Sequence, residues 1–143
     1  MDATLKEVNI RKSIKKFFVD GLTPIKLFFD RELNTAWFPS GPAQWVTVYL
    51  QGLRPGHVSN AYMPVYIFTK QDREGERIAE LRDTVFELLE PGSIPLYNTS
   101  VSPWVKIGGL MLTNMSQSGV IYHEDQSKVV VMHNTLKWGA VWS

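Results

Sequence analysis

The side chains that could perform chemistry in this chain are few and widely spaced. Three histidines occur, His57, His123 and His133, and none lies in an HxH or HExxH arrangement. His123 and His133 would face each other across a hairpin, where Glu124 or Asp125 would add a carboxylate ligand. Metal sites need a defined ligand geometry, so surface or strand histidines are the favoured interpretation.

Other catalytic signatures are missing from the sequence. It contains no GxSxG nucleophile elbow, no GxxxxGK[ST] phosphate loop and no GxGxxG turn. Asp72, Glu74 and Glu76 are close enough to hold a hard cation, but they better suit the positive end of a following helix. The absence of cysteine removes disulfides, thiolate catalysis and cysteine-ligated metals. We therefore expect a protein that is not an enzyme, with no cofactor and no metal.

The elements that position these residues are organised around a strand–turn–helix unit, residues 61–90. The strand, AYMPVYIFTK, has the residue types typical of a half-buried strand. Pro64 predicts an edge position or a bulge, because proline donates no ladder hydrogen bond. The helix, ERIAELRDTVFELLE, repeats apolar residues with a 3.6-residue period. Asp72 is its expected N-cap, and Pro91-Gly92 ends it.

Weaker signals place the remaining elements. A first helix is expected over about Thr4–Val19, ending at Gly21. Strands are expected over 24–30, 44–51 and 104–113, with a hairpin over 119–133; the loops are 34–44, 52–60, 91–103 and 114–118. Both faces of strand 44–51 are apolar, so it should be central, and Gly108-Gly109 suggests a bulge.

The order helix, strands, helix, strands predicts an α+β fold, a single largely antiparallel sheet packed by two helices. The 143 residues suit one domain over 1–143, with an aromatic C-terminal segment, 134–143. No apolar run approaches the roughly 20 residues that cross a bilayer, and the N-terminus has no signal-peptide pattern. We expect a soluble chain with no membrane partner.

Two helix faces of opposite charge stand out on a chain whose formal net charge is only +1. The outer face of the first helix is basic, and that of the second is acidic. Solvated helix faces are the commoner explanation, but such faces could also meet head to tail between copies and close into a ring. We name them the basic face (Lys12, Lys15, Lys16) and the acidic face (Glu76, Glu80, Asp83, Glu87).

Four aromatic side chains lie in predicted loops or near the C-terminus: Trp37, Phe38, Trp138 and Trp142. They either cover the monomer's own core or serve as anchors in an interface, where tryptophan is enriched. The sequence leaves both alternatives open.

The arrangement resembles the tail-terminator and tail-completion (neck) proteins of long-tailed bacteriophages. Residues 65–90 carry most of the likeness: the strand VYIFTK, the turn QDREG and the amphipathic helix that follows. The resemblance implies a ring, usually hexameric, that ends the tail tube and joins it to the head connector while DNA passes through its lumen. It also implies a place in the virion tail or neck after assembly in the host cytoplasm. The implied partners are other copies, the tail-tube protein and the connector.

Other functions stay open. A head–tail adaptor or a tail-tube subunit would also be structural, and a tube subunit would polymerise without limit. A small nucleic-acid-binding domain would stack bases on Tyr49, Tyr66 and Phe68, but the low net charge disfavours it. An enzyme that uses His123 or His133 is the least favoured alternative.

Overall fold

The computed structural model describes residues 2–30, 43–55, 58–122 and 127–139. A 3-10 turn, Ala3–Leu5, leads into helix α1, Glu7–Leu22, and helix α2 is Glu76–Leu89. The strands are β1 (Lys26–Phe29), β2 (Ala43–Val48), β3 (Gln51–Arg54), β4 (Val58–Tyr62), β5 (Val65–Lys70), β6 (Ser93–Asn98), β7 (Val105–Gln117), β8 (Ile121–Tyr122) and β9 (Lys128–Gly139). The predicted α+β fold is confirmed.

Strand β9 joins the other strands into a single curled sheet. It pairs antiparallel with β5 and β4 along one edge and with β8 and β7 along the other. β2 and β1 continue the sheet beyond β5, β3 beyond β4, and β6 beyond β7. Among the described strands, only β1 and β2 pair in parallel. The largely antiparallel sheet and the central place of β2 are therefore as predicted, whereas ring formation stays a prediction.

The predicted strand around Pro64 is divided in two. β4 and β5 flank Met63 and Pro64, and both pair with β9. The Met63 N–H donates to the Asn134 carbonyl at 2.8 Å, and the Asn134 amide donates to the Met63 carbonyl at 3.2 Å. Pro64 therefore sits at an interruption in the sheet interior, so the edge position is wrong and the irregularity is confirmed.

Three segments predicted as loops contain strands. Most of β3 and most of β4 lie within 52–60, β6 lies within 91–103, and β7 continues through 114–117. In β6, Ile94 and Leu96 alternate into the core despite the flanking prolines and serines. Pro95 is tolerated because β6 is the last strand on its side of the sheet. The bulge predicted at Gly108-Gly109 is confirmed, since the β6–β7 register shifts beside Gly108.

Both helices pack on the same face of the sheet and contact each other. Each buries an apolar stripe in one continuous core, and the stripes are Ile10, Ile14, Phe18 and Leu22 of α1 and Ile78, Leu81, Val85 and Leu89 of α2. Gly21 does not end α1 as predicted; it lies inside the helix, where a Cβ would come within 2.4 Å of Leu88 Cδ1. A side chain at this position would require the Leu88 side chain to shift. Within the described ranges, no helix is long and apolar enough to cross a membrane.

Two buried polar side chains of α1 close the outer edge of β6. Ser13 Oγ accepts the Tyr97 N–H at 2.9 Å. Asn9 Oδ1 accepts the Thr99 N–H at 3.1 Å and the Thr99 hydroxyl at 2.8 Å, while Asn9 Nδ2 donates to the Ala3 carbonyl at 2.9 Å. These contacts fix α1 against the sheet and occupy edge groups that would otherwise be open to strand addition.

Candidate interaction surface

The basic face of α1 points away from the core, as the helical periodicity predicted. Lys12, Lys15 and Lys16 are all exposed. Lys16 Nζ lies 2.6 Å from Asp20 Oδ2, and this hydrogen bond raises the pKa of Lys16. Lys15 Nζ lies 5.9 Å from the centre of the Phe29 ring. Lys12 has no ion pair among the described residues.

An open groove of about 720 Å³ runs beside this face, and we name it the outer groove. One wall is α1, and the other is formed by two aromatic residues, one near the end of β6 and one just before β7. Its lining residues are Lys12, Lys15, Lys16, Val19, Asp20, Tyr97 and Trp104. The Trp104 side chain is 39% exposed, and its ring centre lies 6.2 Å from that of Tyr97. The groove therefore combines cations with an accessible aromatic surface.

Sequence reasoning missed Trp104, because it was assigned to the start of a strand. In the structure β7 begins one residue later, and Trp104 lies in the turn that joins β6 to β7. The preceding Ser100-Val101-Ser102-Pro103 has the composition of a turn, which was the available signal. An aromatic side chain that follows such a turn is a reasonable candidate for exposure.

A second, smaller cavity of about 170 Å³ lies on the opposite side of the basic face. Lys12 and Lys15 line it too, so they stand on a ridge between two depressions. Arg11 crosses this side to pair with Asp30 and, at 3.3 Å, with Glu7. The pair with Asp30 ties α1 to the end of β1, and both ion pairs leave Arg11 less available to a partner than Lys12.

The acidic face of α2 is likewise exposed along its length. Asp83 pairs with the neighbouring Arg82 at 2.8 Å, and Arg82 also donates to Gln117 Oε1 at 2.8 Å. Glu76, Glu80 and Glu87 form no ion pair within the described ranges. The charge of this face is therefore only partly neutralised inside the chain.

Asp72 fixes the start of α2, although it is not the N-cap residue. That position is Gly75, with φ 76° and no side-chain cap. Asp72 Oδ2 accepts the Ile78 N–H at 2.8 Å and the Thr69 hydroxyl at 3.1 Å. Burial alone would raise the pKa of Asp72, but these hydrogen bonds and the nearby Arg77 outweigh burial and lower it. The carboxylate thus serves the helix, as the sequence analysis favoured over a cation site.

The aromatic interface candidates fall into two groups. Trp138 lies in β9, is 4% exposed and donates its indole N–H to the Thr4 carbonyl at 2.9 Å. It is a core residue, so of the two alternatives left open by the sequence the structure places Trp138 in the monomer's own core. The aromatic C-terminal segment is strand up to residue 139. Trp37, Phe38 and Trp142 lie outside the described residues.

Of the residues considered for a histidine metal site, only His133 lies within the described ranges. His57, His123, Glu124 and Asp125 fall outside them. His133 lies opposite Ser116 on β7, and its ring stacks on Tyr62 with centres 5.9 Å apart. The Tyr62 hydroxyl and His133 Nδ1 form a hydrogen bond. No group of three or more metal-ligating side chains occurs in the described part of the chain.

The three aromatic residues that would stack nucleic-acid bases, Tyr49, Tyr66 and Phe68, are not all accessible. Phe68 is 4% exposed and stacks on Trp45 with ring centres 4.1 Å apart. Tyr49 and Tyr66 are partly exposed and contact each other edge to face, 5.2 Å between centres. Phe68 is therefore unavailable to a base in this conformation.

Comparison with known proteins adds support for the fold alone. No family model matches the chain, and no curated protein matches it. One solved structure to which the chain is similar shares 12% sequence identity over 96% of each chain, with a TM-score of 0.55. At that identity the likeness extends to the architecture, so function rests on the site geometry.

Proposed function

We propose that this protein is a virion structural protein of the tail-terminator type, which assembles into a closed ring, ends the tail tube and presents a surface to the head connector. The observation that carries this proposal is the exposure of oppositely charged outer faces on two neighbouring helices of one chain. The likeness of residues 65–90 to tail-terminator proteins supports the same conclusion.

The charge distribution favours contacts between copies. The chain has a formal net charge of +1, so charges of the two signs nearly balance and neither is in large excess. The two helices touch where Gly21 approaches Leu88, yet no ion pair among the described residues joins the basic face to the acidic face. Opposite faces that do not pair with each other within the chain attract each other between chains, while like faces repel and exclude wrong orientations.

A contact between two different patches has a defined geometric consequence. Each copy offers the basic face to one neighbour and the acidic face to another. Such head-to-tail contacts form a ring when the rotation per copy closes, and a filament when it does not. A terminator requires closure, because an open filament would continue the tube.

The proposed partners are those that the resemblance to tail-terminator proteins implies for a ring. One flat end meets the last ring of tail-tube protein, and the other meets the connector or a neck protein. DNA passes through the lumen during infection. The ring acts through these surfaces and not by catalysis, after assembly in the host cytoplasm.

Solution mass tests this function. Size-exclusion chromatography with light scattering, over a range of protein and salt concentrations, should give one discrete oligomer near six copies. Added salt should dissociate it, because exposed charge pairs are screened. Open-ended polymers would instead support a tail-tube subunit, and a monomer under all conditions would contradict a self-assembling ring.

A further inference from the structure

We propose that the outer groove of one copy receives the acidic face of α2 from a second copy, with Trp104 as the apolar anchor of the contact. This inference rests on the proposed function, because it names the two surfaces that meet in the assembly. It adds Trp104 and Tyr97, which the charge pattern alone does not identify.

The groove offers two kinds of contact to an incoming helix. The basic face supplies cations along one wall, and Tyr97 and Trp104 supply apolar surface along the other. Val19, which also lines the groove, is exposed as well. A partly exposed tryptophan beside charged residues is the residue type that most often dominates a protein interface. The groove is therefore suited to a helix that carries both carboxylates and small apolar side chains.

The acidic face has a matching spacing. Lys12 and Lys16 are one turn apart, about 6 Å along the helix axis, as are Glu76 and Glu80. Because the two spacings match, two helices lying side by side can form two ion pairs that are one turn apart.

Ala79 provides the place where Trp104 can approach α2. It is exposed and lies beside the acidic face, about 40° from Asp83 around the helix axis. Its small side chain leaves room for an aromatic ring against the helix surface. The acidic face thus has a small apolar residue along one border, next to the charges that the groove requires.

Single-stranded nucleic acid is the competing ligand for cations beside aromatic rings. The groove holds three lysines, and Asp20 already pairs with Lys16. Two unpaired cations are few for a phosphate backbone, whose binding depends on many such contacts. The acidic helix is favoured because the same chain supplies its complement.

Charge exchange between two variants tests the contact. The first carries Lys12→Glu and Lys15→Glu, so both of its helix faces are acidic. The second carries Glu76→Lys, Glu80→Lys and Glu87→Lys, so both of its faces are basic. We expect each variant alone to remain monomeric at concentrations where the wild type assembles. An equimolar mixture should assemble again with the two chains alternating, because every contact then joins opposite charges.

A second variant tests the anchor without changing charge. Trp104→Ala should raise the protein concentration needed for half-assembly by roughly tenfold or more, as expected for an aromatic hot spot. The matched control is Met111→Ala, since Met111 is 61% exposed on β7 and does not line the groove. Lys106→Glu and Glu74→Lys, both at exposed positions, control for charge changes away from the contact. Circular dichroism melts confirm that each variant is folded.

The possible outcomes test the groove–helix contact and the ring separately. Recovery of assembly in the mixture, with loss in Trp104→Ala, supports the contact. A recovered dimer that never grows would retain the contact and contradict the ring proposal. A wild-type-like ring in all variants would overturn the contact and leave the ring standing. Unchanged assembly with lost binding of a single-stranded oligonucleotide would also overturn it and assign the groove to nucleic acid.

Discussion

Helices α1 and α2 share one core but are held by different means. Both bury an apolar stripe against the same face of the sheet. α1 adds buried polar contacts, because Asn9 and Ser13 bind the outer edge of β6. α2 instead depends on Asp72, which binds its first turn from outside the helix. Two similar amphipathic patterns are thus fixed by different polar anchors.

The outward sides of the helices differ just as clearly. Beside α1 the surface is concave and basic, with Trp104 across the groove. The outer side of α2 is an exposed acidic ridge. In each helix the groups that hold the fold lie on the inner side, and the groups proposed for assembly lie on the outer side. The two roles can therefore be altered separately.

The largest effect is expected on the inner side of α1. Asn9→Ala should lower the free energy of unfolding by roughly 2–4 kcal/mol, because it leaves the Thr99 N–H and the Ala3 carbonyl without their partner. Lys12→Ala, on the outer side of the same helix, should change it by less than about 0.5 kcal/mol. Urea unfolding of both variants measures the difference, and equal losses would contradict the division between the two sides.

A smaller loss of stability is expected when Asp72, which fixes the start of α2, is replaced. Asp72→Ala should cost about 1–2 kcal/mol at neutral pH, the usual range for losing a helix-capping side chain. The folded pKa of Asp72 is lowered, so its stabilisation is complete above the unfolded value near 4 and is lost as pH falls through the folded value. The difference between wild type and variant should therefore shrink below about pH 4. A difference that grows under acid conditions would contradict this account of Asp72.

The smallest effect concerns the contact between the helices. Gly21→Ala places a methyl group against Leu88, which offsets the gain of about 1 kcal/mol that alanine brings inside a helix. With Leu88→Ala the overlap is removed, so the gain should reappear. A double-mutant cycle should give a coupling of at least about 0.5 kcal/mol between the two sites. Additive effects would show that the close approach does not constrain the helices.

Much of the fold was predictable because its signals are local. The 3.6-residue periods of both helices, and hence their basic and acidic faces, can be read directly from side-chain spacing. Strand β6 was not predicted because SIPLYN resembles a linker, and its conformation depends on β7 and α1 on either side. Strand preference of this kind is decided by tertiary neighbours and not by the segment alone.

The two tryptophans show why the interaction surface was harder to predict. Trp138 lies near the C-terminus and was considered for an interface, but the position of β9 places it in the core. Trp104 was assigned to a strand, but it lies in a turn beside α1. A tryptophan is expected to contact other residues at both positions. Whether those residues belong to the same chain depends on how distant elements are arranged.

The most direct test of the central claim uses the absence of cysteine from the natural sequence. A chain carrying Lys12→Cys and Glu80→Cys is oxidised at assembling concentration and separated on a denaturing gel without reductant. Each single-cysteine chain is the control. We expect the double variant to give a ladder of covalent oligomers that ends at one ring size, with single variants reaching at most dimers. A double variant that remains monomeric, or whose ladder stops at two chains, would contradict a ring built from these helix faces.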